Sequence, residues 1–317
     1  MKATRESDQG APWRELDARP AGCAHLLGGH TPWPRPERER NDKVHAKKLG
    51  AVAAAALALA AGLTASSAAG SSSSRAKSNS AKPTIVLVHG AWADSGSWDQ
   101  VVSRLQRAGY TVSVPPNPLD DLTTDSQRIA SFLQSLSGPI VLVGHSYGGA
   151  VITNAATGNA QVKALVYEDA FIPDAGQALM QLVHGGCFAV ADLSTVFNFV
   201  PIPGAPAADV DAYVKPSVFP RCFAAGLPAR QQAVLAATQR PLATAALGAP
   251  SGTPAWKTIR SWAIVGTQDQ AVPLADQLAM AKHAGARITR VRAPHLSMVS
   301  DPDAVAKVIQ DAARATR

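Results

Sequence analysis

Five residues, Gly144-His145-Ser146-Tyr147-Gly148, set a hydroxyl between glycines in the order G-x-S-x-G. The apolar run Ile140 to Val143 precedes them, and small residues from Gly149 to Ala156 follow. A serine at a sharp strand-to-helix turn has its hydroxyl exposed above the sheet, and glycines on both sides let the turn close without clashes. The helix that starts there aims free N–H groups at the same point, where a negative oxygen can be stabilised. The chemistry expected of Ser146 is attack on a carbonyl. The alternative is a glycine-rich turn with an incidental serine, and the strand and helix around it count against that.

A serine hydroxyl needs a base to take its proton and a carboxylate to orient the base. Five histidines follow residue 69. His89 and His145 precede Ser146, His184 lies in a segment without sheet character, and His283 falls inside a helical pattern. His295 follows a strand and sits in a loop, which makes it the expected base. For the acid, Asp269 comes four residues after a strand and before His295, while Glu168 and Asp169 follow another strand directly. Asp269 is favoured because loops of neighbouring strands bring it beside His295; Asp169 is the fallback. Two backbone N–H groups are expected to hold the oxyanion, those of Tyr147 and of Ala91 in His89-Gly90-Ala91.

The elements that must position these groups alternate. Apolar runs predict strands at Thr84 to Val88, Tyr110 to Val114, Ile140 to Val143, Val162 to Tyr167, Trp262 to Val265 and Arg287 to Val291. Helical spacing predicts helices at Ser97 to Gly109, Asp125 to Leu136, Pro273 to Ala284 and Asp301 to Ala313. Short strand–helix alternation implies an α/β fold with a mostly parallel sheet, whose ligands bind at the carboxyl ends of the strands. Residues 173–250 break the pattern. They hold many prolines, glycines and aromatics, a helical piece at Ala229 to Gln239 and no clear strand, so they read as a helical cap inserted between core segments 84–172 and 251–317. Trp92, Phe171, Phe188 and Phe223 are expected to line an apolar pocket, with Leu296 beside the base.

Composition bounds the rest. The 317 residues are 46% hydrophobic and 17% charged, enough for one large core plus an insertion. Net charge is +7, but the first 69 residues carry ten Lys and Arg against seven Asp and Glu, and the other basic residues are scattered. No nucleic-acid groove is implied. Residues 1–43 are rich in Pro, Arg and Glu and read as a disordered or non-native extension. Residues 44–69 run from lysines through an Ala/Leu stretch to small residues, the layout of a secretory signal peptide and short for a membrane span. Residues 70–83 then read as a Ser-rich linker. Secretion agrees with the cysteines: Cys187 and Cys222 remain after this leader and can form a disulfide, the alternative being two buried thiols.

The ordered set His89-Gly90-Ala91-Trp92, the serine turn, Ala170-Phe171-Ile172-Pro173-Asp174, Gly266-Thr267-Gln268-Asp269 and His295 resembles the α/β-hydrolase superfamily. Within it, the chain is most similar to the branch of plant methyl esterases, hydroxynitrile lyases and bacterial esterases. That resemblance implies an α/β-hydrolase fold, Ser146, Asp269 and His295 as a triad, and Ala91 and Tyr147 as oxyanion donors. The lyases of the branch carry threonine where Gly90 stands and lysine directly after the catalytic histidine. Here the latter position is Leu296, so hydrolysis of a carboxylic ester with an apolar part is expected. No cofactor or metal is expected, and the partner is a small ester; oligomeric state is not implied. Cofactor-free peroxidase-like or lyase-like chemistry, or ligand binding without turnover, are the alternatives.

Overall fold

The computed structural model describes residues 81–316. The expected extension, signal peptide and linker as far as residue 80 lie outside the described residues. In chain order the elements are β1 (Thr84–Val88), α1 (Asp99–Arg107), β2 (Val112–Ser113), α2 (Leu122–Gln134), β3 (Ile140–His145), α3 (Tyr147–Ala155) and β4 (Val162–Glu168). The insert follows, with β5 (Phe197–Pro201), β6 (Val210–Val214), α4 (Phe219–Cys222), α5 (Ala229–Thr238), β7 (Leu242–Ala243) and α6 (Thr244–Gly248). Then come β8 (Ser261–Gly266), α7 (Leu274–His283), β9 (Arg287–Val291), α8 (Ser297–Ser300) and α9 (Pro302–Arg314).

Six strands form one sheet in the order β2-β1-β3-β4-β8-β9, every pairing parallel. Its central strands are unbroken apolar runs because both faces are covered: every residue of β3 and β8 is buried. Helix α1 packs against α9 and α2 against α3, covering the sheet. Helix α2 begins three residues before the expected position, since the Asp121 carboxylate accepts the N–H groups of Thr123 and Thr124, both at 2.9 Å. The expected second strand shrinks to Val112–Ser113 in its pairing with β1.

This topology decides what can meet. Strands β1, β3, β4, β8 and β9 are consecutive neighbours running the same way, so the residues just beyond their carboxyl ends form one row. That row contains His89-Gly90-Ala91, Ser146, Asp169, Asp269 and His295.

The insert corrects one expectation. Far from being purely helical, it contains a three-stranded antiparallel sheet, β5-β6-β7, with Phe197 opposite Val214 and Pro201 opposite Val210. These strands are short, and β5 is largely exposed on its outer residues, so neither a long apolar run nor a clean alternation marks them. Cys187 and Cys222 are bonded to each other, with Cα atoms 5.7 Å apart, and this joins the start of the insert to α4.

Candidate active site

Ser146 stands at the turn between β3 and α3 with φ 50° and ψ −123°, a left-handed backbone that a side chain rarely accepts. The turn is held from several sides. The Ser146 N–H donates to the Glu168 carbonyl at 3.1 Å, and its own carbonyl accepts from Gly149 and Phe171 at 2.9 and 3.2 Å. The glycines are there for room. A Cβ on Gly148 would stand 2.6 Å from the Val88 carbonyl oxygen, and one on Gly90 would stand 2.7 Å from the Cβ of Ser146.

The Ser146 hydroxyl lies 3.0 Å from Nε2 of His295, and Nδ1 of the same ring lies 2.7 Å from Oδ2 of Asp269. All three residues are buried. Burial alone would push the His295 pKa down, but the charge of Asp269 and its hydrogen bond outweigh it and raise the pKa above 6.5. Asp269 is itself held: Oδ1 accepts the N–H groups of Ala271 and Val272 at 2.7 and 2.9 Å, and Oδ2 accepts from Gln277 Nε2 at 2.7 Å. Gln277, on α7, completes the hold on the carboxylate. A glutamine in a helical pattern looks like a solvated one, and nothing in the sequence marks it as facing the acid.

Asp169, the fallback acid, bonds elsewhere. Its carboxylate accepts the backbone N–H groups of Gly266 and Ser297, at 2.6 and 3.3 Å.

Beside Ser146 opens a cavity of about 430 Å³, lined by Ala91, Trp92, Tyr147, Phe171, Phe188 and His295 together with apolar residues of the insert. As the first helical residue, Tyr147 has no intrahelical acceptor for its N–H, and the residue lines the cavity. Its phenol points away, donating to the buried Asp125 carboxylate at 2.7 Å. The loop carrying Ala91 is fixed at both ends. His89 Nε2 accepts the Asn117 N–H at 3.1 Å, and Trp92 donates from its backbone to Arg240 and from its indole to Ala212, at 3.0 and 2.8 Å. The Trp92 ring then packs on Phe188 and Phe197, with centroids 5.0 and 5.2 Å away.

Two expected pocket residues are not on the cavity wall. Phe223 is buried with its ring edge against His295, centroids 5.2 Å apart, wedged between Trp92 and Phe219. Leu296 is fully buried, and its carbonyl caps the turn into α8, accepting from Val299 and Ser300 at 3.0 Å each. In their place Leu179, Met180, Val183, Phe197 and Phe199 of the insert form the outer wall. Their contribution depends on the path of the insert, which residue types alone do not fix. A larger open groove of about 720 Å³, between Pro115 and Arg240, contains none of the residues in the row.

A model of the alpha/beta hydrolase family matches residues 85–308. The chain belongs to that family. The hydrolase is 34% identical over 111 residues to a carbendazim hydrolyzing esterase of Nocardioides, an alignment spanning 31% of this chain and 46% of that protein. It is 28% identical over 257 residues, 73% of this chain and 97% of the relative, to the alpha/beta hydrolase nvfD of Aspergillus novofumigatus. Its fold is similar to that of a pyrethroid hydrolase from Sphingobium faniae, with TM-score 0.58, 22% identity, and coverage of 74% of this chain and 98% of that one. No helix among the described residues is long and apolar enough to cross a membrane.

Proposed function

We propose that this hydrolase cleaves a carboxylic ester with an apolar moiety, by a serine mechanism and an acyl-enzyme. One observation carries the reading: the continuous hydrogen-bonded line from Ser146 through His295 to Asp269, opening onto an apolar cavity. His295 takes the hydroxyl proton as Ser146 attacks the carbonyl, and Asp269 holds the ring in the tautomer with Nδ1 protonated and balances the imidazolium that forms. The N–H groups of Ala91 and Tyr147 receive the oxyanion; one such donor is worth about 3 kcal/mol in the transition state. His295 returns its proton to the leaving alkoxide. Water, deprotonated by the same ring, then releases the acid.

The substrate reading is supported by the cavity's aromatic and aliphatic wall and by the esterase name of the Nocardioides relative. Secretion is proposed too, on the signal-like order of residues 44–69 and on the Cys187–Cys222 disulfide, a bond that persists in oxidising compartments. Terminal sequencing of protein recovered from the medium tests the latter. Release of nitrophenol from short and medium acyl esters, compared between wild type and Ser146→Ala, tests the former: turnover that survives in the variant overturns the mechanism, and none in either across a wide panel of esters overturns the reading.

A further inference from the structure

His295 follows β9, an edge strand of the parallel sheet. Only Val291 of that strand is buried, and the loop after it is tied to the end of β8 by the Thr267 and Gln268 N–H groups, which donate to the Val291 and Ala293 carbonyls at 2.9 and 3.0 Å. Further bonds to the segment from residue 295 to 298 come from the interior strands. His145 and Glu168 face each other across the β3–β4 ladder, and Asp169 follows at the end of β4. All three are fully buried, and none stands in the line from Ser146 to Asp269.

Each reaches the backbone around His295. Nε2 of His145 lies 3.1 Å from the His295 carbonyl oxygen. A carbonyl only accepts, so that nitrogen carries the hydrogen and Nδ1 is left bare, without a hydrogen-bond partner among the described residues. Oε1 of Glu168 accepts the Ser297 hydroxyl and the Met298 N–H, the latter at 3.0 Å. Asp169 accepts the Ser297 N–H with one oxygen and the Gly266 N–H with the other, tying the loop of the base to the strand that leads to Asp269.

This arrangement costs the fold. Asp169 has φ 45°, a left-handed conformation that disfavours a side chain, and two carboxyl groups are buried side by side. Burial comes first in raising both: Asp169 is pushed up to about 7, with the charge of Asp269 adding to it, and Glu168 is pushed well up, with Asp169 adding to it.

We propose that His145, Glu168 and Asp169 are positioning residues for His295, fixing the backbone from 295 to 298 and thereby the angle at which the imidazole meets Ser146 and Asp269. The inference rests on the proposed role of His295 as base. The test uses the full chain and four variants: His145→Leu, which removes the donor; His145→Gln, which keeps an N–H at the Nε2 position; Glu168→Gln, which keeps the acceptor; and Ser297→Ala. Nitrophenyl ester turnover is measured beside thermal melting and the downfield proton resonance of His295 Nδ1. In His145→Leu, kcat falls about 10- to 100-fold with KM changed less than about twofold, as a small misplacement of a reacting group does. His145→Gln recovers most of the loss, and Glu168→Gln stays close to wild type.

Wild-type kcat in His145→Leu, or equal loss in His145→Gln, overturns the proposal. If His145→Leu does not melt cooperatively, Ser297→Ala decides: a several-fold fall in kcat at constant KM supports it, and wild-type kcat overturns it. A wild type without turnover sinks the esterase reading instead. The Nδ1 resonance then still reports on position, present in wild type, lost in His145→Leu and restored in His145→Gln, or unchanged in all three if the residues do not position the ring.

Discussion

Asp269 divides its carboxylate between two tasks. Oδ2 lies 2.7 Å from Nδ1 of His295, while Oδ1 is occupied by the N–H groups of Ala271 and Val272 two and three residues on. The Asp269 carboxylate is therefore locked by its own turn as well as bonded to the imidazole.

Replacing Asp269 with Asn leaves an amide that cannot accept at both ends and favours the wrong tautomer of His295. We expect kcat to fall by about 10³- to 10⁴-fold. The pH profile gives an independent check. In the proposed mechanism His295 acts as a base only when neutral, and Asp269 raises its pKa above 6.5, so kcat/KM is expected to rise with pH through a midpoint above that value. In the residual activity of the Asn variant the midpoint moves down.

Gln277→Leu removes the amide that donates to Asp269 at 2.7 Å and to the Val272 carbonyl at 2.8 Å. A hydrogen bond to a charged group contributes about 1.5–3 kcal/mol. Activity should drop about tenfold or more through kcat, with the protein still folded by circular dichroism.

Gly90→Ala tests the tight approach of the loop after β1. The added methyl would meet the Ser146 Cβ at 2.7 Å and the His145 carbonyl oxygen at 2.8 Å, so loop or nucleophile must shift. We expect a loss of at least about 100-fold in kcat, of the size that misplacing reacting groups causes.

The Cys187–Cys222 disulfide closes a segment with a sequence separation of 35, which chain-entropy arguments value at roughly 3–4 kcal/mol. Its residues flank Phe188, on the cavity wall, and Phe223, against His295. The double Cys→Ser variant should unfold at lower denaturant concentration and show a raised KM for bulky esters. Unchanged values of both would remove the disulfide from the account.

Much of the core was legible in the sequence because a parallel sheet covered on both faces demands unbroken apolar runs. Thr84 to Val88 and Ile140 to Val143 announce themselves that way, and the residues that follow fall at strand ends by construction. The insert was less legible. Phe197-Asn198-Phe199-Val200-Pro201 is a short antiparallel strand with only Phe197 buried, where neither a long run nor clean alternation is required, so residue types alone do not separate it from a helical cap. Phe223 and Leu296 show the related difficulty: an apolar residue near a site lines it or supports it according to backbone path alone. Gln277 and the His145–Glu168–Asp169 group were invisible as positioning groups because their partners are backbone atoms and side chains distant in the chain.

The central claim is that Ser146 is a nucleophile activated by His295 and Asp269. Intact mass measurement and peptide mapping after reaction with a fluorophosphonate test it without knowledge of the natural ester. The account predicts a single adduct on Ser146, formed far more slowly in Asp269→Asn and absent in Ser146→Ala; no adduct on the wild type, or an equal adduct on another residue, would contradict it.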